Sequence, residues 1–107
     1  MIEKKTVLDQ IEITRDGRVQ FRIGLLLVED GQEISCTWHR SVVNPGDDVD
    51  AQVGAVNRHL KQMGKESLSA DDLAKLKTHS KAAWTPDVIA AHKTRMRAAE
   101  KALSPAA

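Results

Sequence analysis

The stretch that decides the fold is residues 15–43, RDGRVQFRIGLLLVEDGQEISCTWHRSVV. It holds two Asp-Gly dipeptides, at residues 16–17 and 30–31, each between runs in which apolar and polar residues alternate. Asp-Gly favours a tight hairpin turn because glycine adopts positive φ without a steric penalty. The alternation has the period of a half-buried strand. Together these signals predict a three-stranded antiparallel meander over residues 1–43.

The second turn, at residues 30–31, fits a two-residue type I′ loop, because a loop of that length pairs apolar residues of one strand with apolar residues of the other. In this register one alternating set of the third strand, from Ile34 to Val42, faces the core and includes Arg40, while His39 faces outward. The predicted cross-strand pairs are Leu27 with Ile34, Leu25 with Cys36, and Ile23 with Trp38.

The first turn fits a three-residue loop over residues 15–17, with Gly17 in the left-handed position and a bulge beside it. A two-residue loop here would set apolar residues against polar ones, since a slip of one residue turns a whole strand face over. The predicted pairs are Ile13 with Val19, Ile11 with Phe21, and Val7 with Leu25.

Beyond residues 44–46, Asn-Pro-Gly, the chain carries the signals of three helices. The predicted bounds are 47–64, 69–84 and 86–103, followed by a frayed tail over residues 104–107. The residues expected at the helix ends are Asp47 or Asp48, Gly64, Ser69 and the Thr85-Pro86 pair.

These elements predict one α+β domain over residues 1–107, with two or three helices packed on one face of the meander. The stripe of Val53, Val56 and Leu60 is expected to cover the sheet, because its spacing marks one face of a helix. The expected buried face of the sheet comprises Val19, Phe21, Ile23, Leu25, Leu27, Ile34, Cys36 and Trp38.

The composition indicates a soluble globular protein, with 41% hydrophobic and 29% charged residues. Its aromatic content of 3% is too low for a stacking surface on single-stranded nucleic acid. Cys36 is the single cysteine, so an internal disulfide is excluded. The longest apolar run, residues 23–28, is far shorter than the ~20 residues of a membrane span, and the N-terminus lacks the apolar stretch of a signal peptide. We therefore expect folding in the cytoplasm and no membrane partner.

Charge is distributed unevenly along the chain. Residues 1–50 hold six Lys/Arg and ten Asp/Glu, a net of −4, whereas residues 51–107 hold ten and five, a net of +5. Sheet and helices with differently solvated faces would produce this difference. The alternative is a dipolar molecule whose acidic end docks on the basic end of a neighbour.

Residue types that carry enzymatic chemistry are scattered in this chain. No two histidines have HxxxH spacing, and a second cysteine for a zinc site is missing. Cys36 alternates onto the apolar face, which predicts a buried hydrophobe rather than a nucleophile. Asp9, the polar member of the inward row of the first strand, forms no carboxylate pair for acid–base work. We predict a non-enzymatic protein with no catalytic, cofactor-binding or metal-binding residue. The histidines are His39, His59, His79 and His92.

The tripeptide Trp38-His39-Arg40 is the most distinctive in the chain. An aromatic ring, a titratable group and a fork of donors suit an anionic partner. The structural interpretation is that Trp38 caps the core, His39 faces outward and Arg40 ends the buried row with its head in water.

A candidate basic stripe lies near the C-terminus, on the predicted third helix. It could bind phosphates, although cations near a helix C-terminus are favourable without any ligand. We expect a solvated face here, and nucleic acid to be an unlikely partner. The stripe consists of Lys93, Arg95, Arg97 and Lys101.

A candidate interface follows from the outward face of the meander. Leu8, Leu26 and Val28 are expected to cluster there, near the turn at residues 30–31. A three-stranded sheet also leaves two unpaired edges, which favour association with another chain or a second copy. The candidate interface residues are Leu8, Leu26, Val28, His39 and Arg40.

Several short strings together resemble a known group of proteins. They are Asp16-Gly-Arg-Val-Gln20, Leu27-Val-Glu-Asp-Gly31, Trp38-His-Arg40, Pro45-Gly46, Asp48-Val-Asp-Ala-Gln-Val53 and Trp84-Thr-Pro86. The group comprises small uncharacterised proteins encoded among the tail genes of tailed bacteriophages and prophages. The resemblance covers roughly residues 6–92. It implies a role in the virion or its assembly, with other tail proteins as partners.

The expected function is therefore that of a structural or assembly protein of a bacteriophage tail, acting through protein–protein contacts and possible homo-oligomers. Its expected location is the bacterial host cytoplasm during assembly and the virion tail afterwards. Two alternatives remain open: a phage-encoded inhibitor or regulator of a host protein, and a small nucleic-acid-binding module using the basic third helix.

Overall fold

The computed structural model describes residues 1–103 and confirms the α+β fold. Three strands form one antiparallel sheet in the order β1-β2-β3, and three helices follow. The frayed tail predicted for residues 104–107 lies outside the described residues. The strands are β1 (Ile2–Ile13), β2 (Val19–Glu29) and β3 (Gln32–Val43), and the helices are α1 (Val49–Gln62), α2 (Ala70–Ala83) and α3 (Pro86–Leu103).

Both predicted turns are confirmed. Gly17 has a φ of 89°, and the Thr14 backbone N–H donates to the Arg18 carbonyl oxygen at 2.9 Å, which closes a three-residue loop. Asp30 and Gly31 have φ values of 51° and 81°, as a type I′ turn requires at both central residues. The two similar dipeptides therefore form different turns.

The register of β3 contradicts the prediction, because a β-bulge at Ile34 inserts one extra residue into this strand. Leu27 pairs with Ser35, and from there on each β2 residue meets the β3 residue one position later than predicted. Since side chains alternate with a period of two, the whole strand face is turned over. The predicted inward residues Ile34, Cys36, Trp38 and Arg40 therefore lie on the face opposite the core.

A second bulge, at Asp9 in β1, was also not predicted. Ile11 pairs with Phe21 as expected, but Leu8 then pairs with Ile23 and Val7 with Gly24 rather than Leu25. The bulge turns Leu8 toward the core, where it is partly buried. Its backbone N–H donates to Asp72 Oδ2 at 3.0 Å, so the first turn of α2 binds the strand at this irregularity.

The core lies between one face of the sheet and two helices, α1 and α2. Val19, Phe21, Ile23 and Leu25 are buried on β2, as predicted. The buried partners from the rest of the chain are Val43, Val49, Val53, Val56, Leu60, Leu68 and Leu76, with Leu8, Ile11, Leu73, Ala83 and Trp84 partly buried against them.

The helix ends follow the local signals. Asp48 caps α1 by accepting from the Ala51 N–H, and Ser69 caps α2 by accepting from the Asp72 N–H. After α1, Gly64 has a φ of 75°, and the Lys65 N–H donates to the Leu60 carbonyl oxygen at 2.8 Å, a Schellman arrangement.

The third helix, α3, lies at one end of the sheet and has no buried residue. Its first turn contacts the loop at Gly17 through Val88 and the loop at Gly46 through Ile89. The molecule is consequently elongated, with extents of 61 × 31 × 19 Å. None of the three described helices is long and apolar enough to cross a bilayer.

Candidate interaction surface on the open sheet face

The sheet face turned away from α1 and α2 carries a mixed apolar and charged surface, which we call the open face. Cross-strand pairing places Val7, Gly24 and Trp38 in one row of this face and Arg22 beside them. Trp38 is 50% exposed, an unusual value for the largest apolar side chain. Within residues 1–103, the hydrogen bonds, ion pairs and ring contacts of these side chains all stay within the sheet.

Gly24 makes room for the Trp38 ring. A Cβ placed on Gly24 would lie 3.2 Å from Trp38 Cζ3 and 3.2 Å from Val7 Cγ2. The ring and the valine methyl therefore cover the glycine backbone from both neighbouring strands, an arrangement in which an aromatic side chain supports a strand glycine. The Trp38 ring is thus held against the sheet while half of its surface stays in water.

Arg22 also packs on this tryptophan. Its guanidinium carbon lies 4.1 Å from the centroid of the Trp38 ring, within range of a cation–π interaction. Arg22 Nε also donates to Asp9 Oδ2 at 2.8 Å. The bulge in β1 brings the Asp9 carboxylate to this face. The bulge therefore supplies the carboxylate that fixes the Arg22 side chain.

A second arginine adds positive charge to the open face. Arg40 lies directly opposite Arg22 in the β2–β3 register, and like charges in this position repel each other. Asp9 neutralises Arg22, but Arg40 takes part in no ion pair with any residue from 1 to 103. Both arginines border a shallow recess of about 320 Å³, which is completed by Gln10, Glu12, Gln20, Phe21, Ser41 and Val42.

Cys36 also lies on the open face, half-buried and opposite Leu26. Burial raises the pKa of its thiol, and the Glu33 and Asp9 carboxylates raise the pKa further. The reactive thiolate is therefore disfavoured at neutral pH. This environment suits a packing role rather than that of a nucleophile.

The predicted interface residues are divided between the two faces. Leu26, Val28 and Arg40 lie on the open face, where Leu26 is half-buried and Arg40 is exposed. Val28 is buried, with 8% of its surface exposed, so its side chain offers little area to a partner. Leu8 and His39 lie on the helix face because of the two bulges. His39 approaches His59 of α1, with the ring centroids 5.5 Å apart. Val7 and Trp38, which were predicted to face the core, lie on the open face instead.

The predicted basic stripe lies along the exposed surface of α3. Arg95 is partly engaged, because its Nη2 donates to the Asp16 carbonyl oxygen at 3.3 Å. Lys93 and Arg97 border a recess against residues 45–47, together with the carboxylate-bearing Glu100. The stripe thus combines solvated cations with Arg95, which binds the backbone of the first hairpin turn. Its four members are Lys93, Arg95, Arg97 and Lys101.

Other clusters of reactive side chains offer little chemistry. The described part of the chain has no group of three or more His, Cys, Asp or Glu side chains that could hold a metal ion. Ser80 is fully buried, and its hydroxyl has no hydrogen-bond partner among residues 1–103. It borders a recess with Lys77, Lys81 and three aspartates, whose negative charges oppose the binding of an anion there.

Sequence reasoning missed the Arg22–Trp38 arrangement because it depends on the bulge at Ile34. Two signals in the sequence were nevertheless available. A glycine within a strand, here Gly24, often marks a close approach of another group. A lone carboxylate in an apolar row, here Asp9, often marks a bulge or an ion pair.

Comparison with protein-family models, curated proteins and solved structures finds no match for this chain. The resemblance to phage tail-gene proteins is therefore still a prediction, and the function has to be argued from the surface itself.

Proposed function

We propose that the protein is a non-enzymatic structural or assembly protein that works by protein–protein contact through its open face. The observation that carries the proposal is the half-exposed Trp38, held between Gly24 and Arg22. Tryptophan and arginine are the residue types most enriched at the energetic centres of interfaces. A ring that is already fixed loses little conformational freedom on binding.

Burial of this ring alone would contribute usefully to binding. An aromatic side chain offers about 150–250 Å² of surface, of which Trp38 leaves about half in water. At about 25 cal/mol/Å², covering that half contributes roughly 2–3 kcal/mol. Leu26 and the exposed Val42 lie on the same face and extend the apolar area.

The charges define the chemistry of the partner. Arg40 and Arg22 lie side by side, and among the described residues a carboxylate partner is found for Arg22 but not for Arg40. A partner that presents an Asp or Glu beside an apolar side chain would pair with Arg40 and cover Trp38 together. The charged contact would also accelerate encounter and fix the orientation of the complex.

The resemblance to tail-gene proteins supports a tail protein of a bacteriophage as this partner. In this proposal the chain folds in the host cytoplasm and is then incorporated into the virion tail. Mass spectrometry of particles purified from the encoding phage tests it: a constant copy number per particle is expected. Absence from purified particles would contradict the proposal and favour the alternative of a regulator that binds a host protein.

A variant series connects the particle to the open face. Trp38→Ala and Arg40→Glu, introduced into the phage gene, should reduce the copy number of the chain in purified particles. Met63→Ala is the matched control, because Met63 is 44% exposed but belongs to the end of α1, away from the open face. Equal incorporation of all variants would exclude the open face as the contact surface. Binding of the isolated chain to DNA with a steep salt dependence would instead favour the basic stripe.

A further inference from the structure

The two edges of the sheet are protected very differently. The edge of β1 is occupied by groups of the α1–α2 connection and of α2. Thr6 Oγ1 donates to the Glu66 carbonyl oxygen at 2.6 Å, Lys4 Nζ donates to the Gly64 carbonyl oxygen at 3.3 Å, and the Leu8 N–H is bound by Asp72. Lysines, a bulge and a covering helix are the usual protections of a sheet edge.

The outer edge of β3 has much less protection. The strand is 12 residues long and contains neither proline nor lysine, and its bulge, at Ile34, lies near its start and leaves residues 35–42 regular. Within the described chain, helix α1 contacts residues 32–42 of β3 only through side chains. Gln52 Nε2 donates to Ser41 Oγ at 3.3 Å, and the His59 ring lies against the His39 ring. A long strand with free outward backbone groups is a template for pairing with another strand.

Helix α1 covers only one half of this strand. Its two contacts with β3 lie at residues 39–41, and the loop after it crosses to the opposite edge, where Gly64 meets Lys4. Ser35 and Thr37 are exposed on the helix face. The first half of β3 is therefore accessible from the edge and from the helix face.

We propose that two copies of this chain form a dimer by antiparallel pairing of β3 with β3, around a two-fold axis at Thr37. The product is a continuous six-stranded sheet with the helices of both copies on one face. Thr37 faces Thr37 of the second copy, Cys36 faces Trp38, Ser35 faces His39, and Arg40 faces the bulge at Ile34. This inference goes beyond the proposed function, since it concerns the free edge of the sheet, although both contacts would use Arg40.

The position of the axis follows from the helices. In this register, the segment 39–41 that lies under α1 is opposite residues 33–35 of the second copy. At about 3.3 Å per residue, the two covered segments are then roughly 20 Å apart along the strands, more than the 10–12 Å diameter of a helix. An axis near His39 would bring the two segments covered by α1, and with them the two helices, close together, so an axis at Thr37 is favoured.

The side chains of the open face are complementary in the same register. Arg40, which has no ion pair within residues 1–103, comes next to Glu33 of the second copy at the bulge. Trp38 comes next to Cys36, so the apolar rows of the two open faces join. Because a two-fold interface repeats each contact, both complementary pairs occur twice.

Disulfide trapping in the isolated full chain tests the dimer and its register. With Cys36→Ser as background, Thr37→Cys places a thiol on the axis, where opposite Cα atoms of antiparallel strands are about 4.5–5.5 Å apart, within disulfide range. Oxidation should give a covalent dimer. Ser35→Cys in the same background is the matched control, since it lies on the same face but about 13 Å from its counterpart along the strands. The expected rate of cross-linking is at least tenfold higher for Thr37→Cys.

Sedimentation of the unmodified protein supplies the second measurement, with a dimer mass expected at micromolar concentration. Arg40→Glu should weaken the dimer at least tenfold, and the charge swap Arg40→Glu with Glu33→Arg should restore it. A monomer at all concentrations, or cross-linking of Ser35→Cys as fast as Thr37→Cys, would overturn the proposal. Because these experiments need no virion, the dimer can fail while the tail function stands, and the reverse also holds.

Discussion

The indole Nε1 of Trp84 donates a hydrogen bond of 2.6 Å to the carbonyl oxygen of Gly17, 67 residues earlier in the chain. This bond connects the first hairpin turn to the junction between α2 and α3. A Cβ on Gly17 would lie 2.4 Å from Val88 Cγ1 and 3.3 Å from Pro45 Cγ. Gly17 therefore serves both the geometry of the turn and the packing of the end of the sheet.

The two turn glycines should respond differently to alanine. Gly17→Ala meets a positive φ and a close contact with Val88, and we expect it to cost about 2–4 kcal/mol of unfolding free energy. Gly31→Ala meets a positive φ of similar size, but its Cβ would have no atom of residues 1–103 within 4 Å, so a cost of about 1 kcal/mol is expected. Urea denaturation of both variants measures the difference, and equal costs would show that Val88 moves aside freely.

The Trp84 hydrogen bond should be measurable by itself. Trp84→Phe keeps an aromatic ring but leaves the Gly17 carbonyl without its donor, and we expect a loss of about 1–2 kcal/mol. Trp38→Phe is the control, because the Trp38 N–H has no hydrogen-bond partner among residues 1–103. Thermal unfolding should shift clearly for the first variant and by less than half as much for the second.

Trp38 and Phe21 distinguish the observed register from the predicted one. Phe21 is 2% exposed, and Phe21→Ala should cost about 3–5 kcal/mol. Trp38→Ala removes a ring of which half is already in water, so about 1–2 kcal/mol is expected. Chemical denaturation measures the unfolding free energy of both variants. An equal loss in the two would place Trp38 in the core and contradict the proposed open-face contact.

Ser80 offers a stabilising substitution. Its hydroxyl is fully buried and unpaired within the described chain, so Ser80→Ala removes a desolvated polar group from a good helix position. We expect a gain of about 1 kcal/mol in unfolding free energy. Thr78→Ala, on the same helix, removes an exposed hydroxyl that donates to the Ala74 carbonyl oxygen, and should change stability by less than about 0.5 kcal/mol. A loss of stability in Ser80→Ala would indicate that the hydroxyl is paired in solution.

The thiol of Cys36 should be slow to alkylate. Burial, and next the Glu33 carboxylate, raise its pKa, so a smaller fraction is thiolate at any given pH and the rate–pH curve moves to higher pH. Iodoacetamide labelling followed by mass spectrometry should show this shift relative to the urea-unfolded chain. Glu33→Gln should move the curve back toward the ordinary thiol value. Labelling of the folded protein as fast as of the unfolded chain would contradict the assignment.

Short-range signals were sufficient for every element of this fold. The two Asp-Gly turns, the Asp48 and Ser69 caps and the glycine after α1 depend on contacts within a few residues, which are visible in the sequence. The same is true of the buried row on β2, whose alternation runs without interruption from Val19 to Leu25. Local propensity and hydrophobic pattern agree in these segments, so the prediction and the structure coincide.

The face on which Trp38 and Leu8 lie was decided by the tertiary structure alone. A bulge adds one residue, and because strand side chains alternate with a period of two, that single residue reverses every position beyond it. The bulge at Asp9 involves contacts with Arg22 and, through the Leu8 N–H, with Asp72, which is 64 residues away from Leu8. The sequence by itself thus determined the elements and their order, whereas the two bulges, which exist only in the paired sheet, determined which side chains the sheet buries and which it leaves exposed.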